Sequence, residues 1–297
     1  MKRLLRLLAI LAGTLVAALV LALIFARLYF TDEKILATVR PQLEEKLTRE
    51  IEIQSAELSF WGGLGVRLEQ VTLGNAPGFN RPVFLHLDEL DVKVKFWPLF
   101  SGDVVFDRVL LGPGELRLEA DSLGNNWTDI VKPDTTKPVT PTDSLVAALP
   151  KIPLVGQMEF SDITVSFDDY CDGSSLELGR IDGWLEMIPQ VEEIGARARG
   201  EFQIDSGSYT SPAITLDLAQ AQPRFDFDLR VSLPKKSIGI DKSTLTIFGI
   251  PIRFSGTVEN FTDTARYAID VKIESTPLAS VFEVLPDSLW LPSFPDG

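Results

Sequence analysis

Apolar and polar residues alternate with a period of two through most of the chain beyond residue 51. The pattern is plainest where Phe225, Phe227 and Leu229 alternate with Asp226 and Asp228. Successive side chains of a strand point to opposite faces, so the pattern predicts strands with one apolar and one solvated face, as in antiparallel sheets. The predicted strands are 51–60, 66–73, 92–96, 104–110, 115–120, 158–167, 175–181, 198–204, 213–218, 225–233, 245–258 and 267–273. The body is therefore expected to be all-β.

Short segments rich in glycine, proline and asparagine separate these predicted strands. Residues 75–78 (Asn-Ala-Pro-Gly), 112–114 (Gly-Pro-Gly) and 172–173 (Asp-Gly) have the composition of turns. Residues 132–143 (KPDTTKPVTPTD) are rich in proline and threonine, with one apolar residue. That composition predicts an extended or flexible connector between two β segments.

Residues 7–26 form an apolar run of twenty residues without a charge. At about 1.5 Å per residue, a helix of this length spans roughly 30 Å, the thickness of the hydrocarbon core of a bilayer. Lys2, Arg3 and Arg6 precede the run, so the positive-inside rule predicts a cytoplasmic N-terminus. The alternative is a cleaved signal peptide, but such peptides have a shorter apolar region and end at an A-x-A site, which is missing here. The run therefore predicts a retained transmembrane helix.

The sequence thus predicts an N-terminal transmembrane helix followed by a mainly β body. Residues 32–49, directly after the anchor, and residues 277–285 have apolar side chains at helical spacing, so both should form short helices. The expected parts are a cytoplasmic N-terminus (1–6), the transmembrane helix (7–26), a first periplasmic β segment (27–131), the connector (132–143) and a second β segment with a short C-terminal helix (144–297).

The body beyond the anchor is strongly acidic. Four of the 28 lysine and arginine residues lie within residues 1–27, which leaves 24 basic against 42 acidic residues. This balance argues against binding to nucleic acid, and against electrostatic attraction to anionic lipid headgroups. A well-solvated acidic surface is sufficient to explain it.

The sequence offers no recognisable catalytic or metal-binding constellation. His86 is the only histidine, which excludes sites with several histidine ligands, and Cys171 is the only cysteine, which excludes an intrachain disulfide. The acidic segment 166–173 (SFDDYCDG) lacks the spacing of a calcium loop and predicts a hairpin turn. The glycine-rich segment 61–65 lacks the Gly-Lys-Ser/Thr of a phosphate loop. We therefore expect no catalytic residue, no metal, no cofactor and no enzymatic activity.

An apolar sheet face of this extent must be covered. The sheet can close into a barrel, pack on a second sheet, or leave a groove for apolar ligands. Periodicity alone favours a second packed sheet, whereas the scarcity of helical segments that could cover the face keeps the groove open as an alternative. The candidate lining residues of such a groove are Phe202, Ile204, Leu216, Leu218, Phe225, Phe227, Leu229, Ile269 and Val271.

Several short motifs follow one another in a specific order. They are 71–75 (VTLGN) with 77–79 (PGF), 98–99 (PL) with Gly102, Gly124 with 126–127 (NW), and 162–165 (DITV) with Asp169. The later segment 255–286 has the form of two strands followed by a short helix. Together with the N-terminal helix, these motifs resemble the AsmA-like family of Gram-negative envelope proteins, which is related to the bridge-like lipid transfer proteins.

The resemblance implies an anchor in the inner membrane and a long, curved antiparallel sheet in the periplasm, shaped as a groove. The implied function is to bind or conduct phospholipid and so support outer-membrane lipid homeostasis. The alternative is an envelope assembly factor that acts on outer-membrane protein biogenesis through protein contacts. The implied partners are membrane phospholipid and, in the alternative, other envelope proteins. Members of this family are often longer, so the chain is either a short member or part of a longer protein.

Overall fold

A computed structural model of the chain describes residues 31–60, 63–95, 97–98, 105–122, 124–132, 156–190, 195–218, 221–232, 234–260 and 264–273. The predicted transmembrane helix at 7–26, most of the predicted connector and the predicted helix at 277–285 lie outside these residues. Within them, no helix combines the length and the apolar character needed to cross a membrane.

The described chain consists of one helix followed by fourteen strands. The helix, α1, comprises Asp32–Lys46 and confirms the predicted leading helix, with Pro41 inside it. The strands are β1 (Ile51–Ser59), β2 (Leu64–Gly74), β3 (Val83–Val94), β4 (Phe106–Leu111), β5 (Gly114–Asp121), β6 (Gly124–Asn125), β7 (Gln157–Asp169), β8 (Ser174–Gln190), β9 (Gly195–Thr210), β10 (Thr215–Asp217), β11 (Arg224–Ser232), β12 (Ser237–Ile247), β13 (Ile250–Glu259) and β14 (Arg266–Ile273). The mainly β body is thus confirmed.

All fourteen strands belong to one sheet. The main order is β1-β2-β3-β4-β7-β8-β9-β11-β12-β13-β14, while β5 pairs with β3, β6 and β7, and β10 pairs with β9. Among the described strands, β1 and β14 are the two ends of this order and do not pair with each other, so the sheet is open. The second packed sheet that periodicity favours is not found in the described part of the chain.

β4 and β5 are successive halves of one strand between β3 and β7. Their parallel register with β7 continues without a shift from the pair Arg108–Gln157 to the pair Gly114–Ile163. The sheet is therefore mixed, and the prediction of a wholly antiparallel sheet is wrong at this joint. Parallel neighbours need a connection of a dozen or more residues, and residues 133–155 supply that length.

Gly112 and Pro113 interrupt this strand without turning it. The Gly112 N–H donates to the carbonyl of Glu89 at 2.8 Å, and the Pro113 carbonyl accepts from the N–H of Asp88 at 2.7 Å. Both bonds go to β3, so the chain stays extended along the same neighbour. The turn predicted at 112–114 is wrong, because proline removes one donor but does not reverse the strand.

β12 and β13 form a hairpin where the sequence predicts one strand at 245–258. Ile247 pairs with Ile250, and the two residues between them, Phe248 and Gly249, have φ angles of 52° and 72°. Two consecutive residues with positive φ are typical of a tight two-residue hairpin turn. The prediction missed the turn because Phe248 continues the apolar pattern and is an unusual residue for a positive φ.

The turn predicted at Asp172-Gly173 is confirmed as the connection between β7 and β8. Gly173 has a φ of 73°, and the Asp172 carboxylate accepts the N–H of Ser174 at 2.8 Å. Hydrogen bonds from the hydroxyl and the backbone N–H of Ser174 lower the pKa of Asp172. In the same segment, the Asp169 carboxylate accepts the N–H of Cys171 at 2.8 Å. Hydrogen bonds within the hairpin therefore account for Asp169 and Asp172, while Asp168 accepts a hydrogen bond from Arg81 at 2.7 Å.

The hydrophobic core lies between α1 and the first strands. Ile35 of α1 is 6% exposed and belongs to the same buried cluster as Val71 of β2 and Leu87 of β3. Leu36, Val39, Leu43 and Leu47 pack against that cluster, at the spacing of one helix face. α1 therefore covers the apolar face of the sheet only at its N-terminal end.

Two fully buried polar side chains, Glu119 and Asn126, connect the β2–β3 loop to β5. The Glu119 carboxylate accepts the backbone N–H groups of Asn80 at 2.9 Å and Arg81 at 3.0 Å. The Asn126 amide donates to the side-chain oxygen of Asn75 at 3.0 Å and accepts the N–H of Glu119 at 2.9 Å. These hydrogen bonds satisfy buried polar groups, whose burial without a partner would destabilise the fold. Asn75 and Asn126 are also two positions of the sequence motifs described above.

Candidate functional site

A row of apolar residues crosses the whole sheet at one register level. Directly paired residues of neighbouring strands project to the same face of a sheet, so the register defines the composition of that face. From β1 to β14 the row comprises Ala56, Leu68, Leu90, Leu111, Phe160, Gly183, Phe202, Phe225, Leu245, Ile252 and Ile273. Every strand of the main order contributes one residue, and none of them is polar.

The rows on either side are also apolar through most of the sheet. One comprises Leu58, Val66, Val92, Val109, Met158, Leu185, Gly200 and Phe227. The other comprises Ile53, Val71, Leu87, Gly114, Ile163, Ile181 and Ile204. With strands about 4.8 Å apart, the central row extends for roughly 50 Å along the sheet. We call this surface the apolar face.

Four phenylalanine rings form a continuous cluster in the middle of the apolar face. Phe160 of β7 lies 5.5 Å from Phe202 of β9 between ring centroids, and Phe202 lies 5.8 Å from Phe227 of β11. Phe227 in turn lies 5.4 Å from Phe225 on the same strand. We call these four residues the phenylalanine cluster. All four are half-buried, so the cluster offers ring surface to an apolar ligand.

Two strand glycines make room for these rings. A Cβ atom on Gly183 would stand 2.8 Å from the Phe202 ring, and one on Gly200 would stand 2.6 Å from the Phe227 ring. The same Cβ on Gly200 would also stand 2.5 Å from the backbone oxygen of Trp184. A glycine inside a strand often marks such a close approach, and here it leaves room for each ring over the neighbouring strand.

Burial of the apolar face decreases from β1 to β14. Leu87 on β3 is 2% exposed, whereas Val271 and Ile273 on β14 are 55% and 64% exposed. The difference follows from the position of α1, which packs on the first strands, while no described element packs on the later ones. The C-terminal half of the apolar face is therefore accessible.

The structure places all nine predicted lining residues on the apolar face. Phe202 and Phe225 belong to the central row, and Ile204 and Phe227 belong to the flanking rows. Four others are placed there by their partners on the neighbouring strand: Leu229 pairs with Ala198, Ile269 with Gly256, Val271 with Phe254 and Leu216 with Tyr209. Leu218 is placed there by its contact with Gly207. That these residues line a groove stays a prediction.

Sequence reasoning missed several members of the central row, notably Phe160, Gly183, Leu245 and Ile252. Periodicity assigns a residue to one face of its own strand, but it does not show which residues lie opposite on the next strand. One sequence signal pointed to the apolar face: Gly183 and Gly200 stand at apolar positions of alternating segments, where a bulky residue is expected.

The opposite face of the sheet carries arginine–carboxylate pairs between neighbouring strands. Arg224 Nη2 lies 2.6 Å from Glu201 Oε1, and Arg197 makes two hydrogen bonds to Asp228. The bond from Arg197 lowers the pKa of the Asp228 carboxyl below its ordinary value. Further pairs are Arg199–Glu186, Arg230–Asp241 and Arg108–Glu159. The acidic residues on this face are thus partly neutralised within the sheet.

The residues that sequence analysis examined for chemistry lie apart from one another. His86 Nδ1 is 3.0 Å from the hydroxyl of Thr72 on the neighbouring strand. Cys171 is exposed in the β7–β8 turn, where desolvation and the nearby Asp169 raise the pKa of its thiol. Within the part of the chain that the structure describes, no group of three or more His, Cys, Asp or Glu side chains is arranged to hold a metal ion.

A family model described as AsmA family matches residues 1–182, more than half of the 297 residues. The matched part includes α1, the buried core, the Glu119–Asn126 network and the parallel joint, and it ends within β8. No curated protein matches the chain.

Proposed function

The chain belongs to the AsmA family, and from this membership and its apolar face we propose that it binds or conducts phospholipid in the bacterial envelope. Residues 7–26 anchor it in the inner membrane with a cytoplasmic N-terminus, and the sheet extends into the periplasm. There the apolar face, curved into a groove, holds acyl chains and supports outer-membrane lipid homeostasis. The protein is not an enzyme in this proposal, and it needs no cofactor.

The observation that carries this proposal is the unbroken central row, which runs from the covered core at β1 to the exposed edge at β14. Each methylene group of a lipid tail that is buried away from water contributes about 0.8 kcal/mol to the free energy of binding. A lipid tail lying along several strands would therefore be held without any recognition of its headgroup. A tail could also move along the row, because every strand offers it the same kind of surface.

The distribution of charge supports the same proposal. The three rows of the apolar face contain no charged residue, while arginines and carboxylates pair on the opposite face. Burying a charge against a lipid tail is costly, so a tail-binding surface must be free of charge over its length. The acidic body as a whole disfavours binding through an anionic headgroup.

An assembly role through protein contacts has one supporting observation. All eight residues of β14 are exposed, and within the described strands β14 has only β13 as a neighbour. An exposed strand edge can pair with a strand of another protein. Isolation of a stoichiometric envelope partner without co-purifying lipid would favour this second function over lipid binding.

Photocrosslinking in cells tests the proposed function. A benzophenone amino acid at Phe225 should form phospholipid adducts, because this position lies on the apolar face. The matched control is Asp226, the next residue of the same strand, which projects to the opposite face and should give no lipid adduct. The other eight predicted lining positions extend the test. No lipid adduct at any of the nine would overturn the proposal.

A further inference from the structure

The two end strands of the sheet differ in how they are covered. At β1, the helix α1 packs alongside, and the Arg40 side chain donates to the carbonyl of Ile53 at 3.1 Å. At β14, all eight residues are exposed, and among the described strands only β13 pairs with it. A strand in this position carries backbone N–H and C=O groups that are available to a further strand. β14 is therefore the end of the described sheet that can accept one.

The side chains of β14 alternate regularly. The odd-numbered residues are apolar and lie on the apolar face, and three of the four even-numbered residues, on the opposite face, are charged. In chain order the residues are Arg266, Tyr267, Ala268, Ile269, Asp270, Val271, Lys272 and Ile273. Lys272 lies directly opposite Arg253 of β13, and like charges in this arrangement destabilise a strand pair. A negative charge on the open side of Lys272 would offset that repulsion.

β14 of a second copy supplies such a charge. Directly opposite residues of an antiparallel pair project to the same face, so two copies of β14 keep their apolar residues together only when odd-numbered residues face odd-numbered ones. When Val271 lies opposite Val271 of the second copy, Asp270 of each copy lies opposite Lys272 of the other. Ile269 of each copy then lies opposite Ile273 of the other. The sequence of this half of β14 is therefore complementary to itself in both charge and hydrophobicity.

The charges of β14 disfavour the two nearest alternative registers. A pair centred on Asp270 would place this carboxylate opposite itself. A pair centred on Ile269 would place Arg266 opposite Lys272 at two symmetric positions. Like charges directly opposite one another are destabilising, so both registers are weaker than the one centred on Val271.

A pair centred on Ala268 matches the charges but covers less apolar surface. It would place Arg266 opposite Asp270 at two positions. However, it would move Val271 and Ile273 past the first residue of the other copy's β14, and these two side chains are 55% and 64% exposed. The register centred on Val271 is therefore the one in which charge and apolar contact agree.

We propose that the chain forms a symmetric dimer in which β14 pairs antiparallel with β14 of a second copy, centred on Val271. The pairing rests on the described residues of β14 and goes beyond the proposed function. It joins the two sheets into one, with both apolar faces on the same side and a β1 strand at each far end. The two-fold axis is perpendicular to the joint sheet. With this axis normal to the membrane, both anchors of the proposed function enter the same bilayer.

Disulfide crosslinking of the full chain in detergent tests the proposed register. In a Cys171→Ser background, single cysteines are placed at each position from 268 to 272 and oxidised. Only residue 271 lies opposite itself, with Cα atoms about 4.5–5.5 Å apart, which is within reach of a disulfide. At positions 270 and 272 the two cysteines are offset by about 7 Å along the strands. We therefore expect about threefold or more disulfide-linked dimer at 271 than at either neighbour.

The matched control for crosslinking is Phe254→Cys. Phe254 lies opposite Val271 within the same sheet, but it is one strand away from the edge. In the proposed dimer the two copies of this residue are separated by three strand spacings, about 14 Å, so no disulfide should form. Equal crosslinking at 254 and 271, or a maximum at any other position of β14, would overturn the proposed pairing.

Charge reversal tests why this register is preferred. Asp270→Lys places like charges opposite each other at two symmetric positions and should raise the dimer dissociation constant by about fivefold or more. The double variant Asp270→Lys with Lys272→Asp restores opposite charges and should return the constant to the parent value. Analytical ultracentrifugation in detergent measures both. An unaffected single variant, or a double variant that does not recover, would overturn the proposed charge pairing.

Failure of the dimer is distinguishable from failure of the proposed function. A chain that stays monomeric, because residues 274–297 or a strand of another protein occupies the edge, would overturn the dimer. Phospholipid adducts at Phe225 are measured on the same preparations. Adducts without a disulfide-linked dimer at 271 would overturn only the dimer, and a dimer without adducts would overturn only the lipid-binding face.

Discussion

The Phe202 and Phe227 rings stack across two strands, with their centroids 5.8 Å apart and their planes at 13°. The two residues are diagonal rather than opposite in the register, since Phe202 pairs with Phe225 and Phe227 pairs with Gly200. Phe227 can lean over β9 toward Phe202 because Gly200 has no side chain. The stacking of the phenylalanine cluster thus depends on a glycine.

Gly200→Ala is expected to destabilise the protein by about 1–3 kcal/mol, the usual cost of overpacking. Its Cβ would meet both the Phe227 ring and the backbone oxygen of Trp184, and the latter cannot rotate away. The matched control is Gly239→Ala in β12, where a Cβ would meet nothing closer than 3.9 Å. We expect this control to stay within about 0.5 kcal/mol of the parent in urea denaturation. Equal effects of the two variants would contradict the assigned role of Gly200.

Glu119→Gln should destabilise the protein by about 1–3 kcal/mol, because one of the two backbone N–H groups that bond to this buried side chain loses its acceptor. The native carboxylate accepts from Asn80 with one oxygen and from Arg81 with the other, and an amide has only one oxygen. The same change at the exposed Glu177 of β8 is the control, with little expected effect. Urea denaturation compares the two, and a neutral Glu119→Gln would show that the β2–β3 loop does not depend on this carboxylate.

The Arg197–Asp228 pair should make stability depend on pH in the acid range. The hydrogen bond from Arg197 lowers the pKa of Asp228 in the folded protein. Its contribution is therefore fully present above the unfolded value of about 3.9 and is lost as the pH falls through the lower, folded value. Asp228→Asn should lower stability at pH 7 and flatten this acid dependence. In an Arg197→Met background the same substitution should have a much smaller effect, which the charges of Arg199 and Arg230 leave, and an undiminished effect would assign the pH dependence to another group.

Val271→Thr is expected to weaken lipid binding without affecting stability. Val271 is 55% exposed on β14, so a hydroxyl there stays in contact with water when no lipid is bound, but it becomes desolvated under an acyl chain. The control, Lys272→Thr, changes the neighbouring residue on the opposite face. Native mass spectrometry of the detergent-purified protein should show less bound phospholipid for the first variant alone. An unchanged lipid content would mean that lipid does not reach β14.

The alternation of side chains was sufficient to predict most strands, because a half-buried strand leaves a period of two in the sequence. It failed where local geometry departs from that period. Pro113 looks like a turn residue but sits in an extended strand, and Phe248 looks like a strand residue but forms a turn. In both cases the outcome depends on pairing with a neighbouring strand, and alternation within one segment does not show that pairing.

The apolar face could be predicted only in part because the alternation shifts by one residue within several strands. In β2, Val66 and Leu68 precede the shift and Val71 and Leu73 follow it, with Gln70 at a φ of 51° between them. Asp162 in β7 and Arg180 in β8 have similar φ angles of 53° and 50°. A single residue in this conformation rotates the strand and keeps the apolar side chains on one face. The sequence does not mark Gln70 and Arg180, since neither is of a residue type that favours a positive φ.

From β8 onward, each strand of the main order pairs with strands that are close to it in sequence. By contrast, the joint of β4 and β5 with β7 brings together segments separated by the long connection at 133–155. A hairpin added to or removed from the β14 side would lengthen or shorten the central row by about 4.8 Å per strand and leave every contact of the N-terminal part intact. The sheet therefore combines an N-terminal part of fixed topology with a C-terminal part whose length can change by one hairpin at a time.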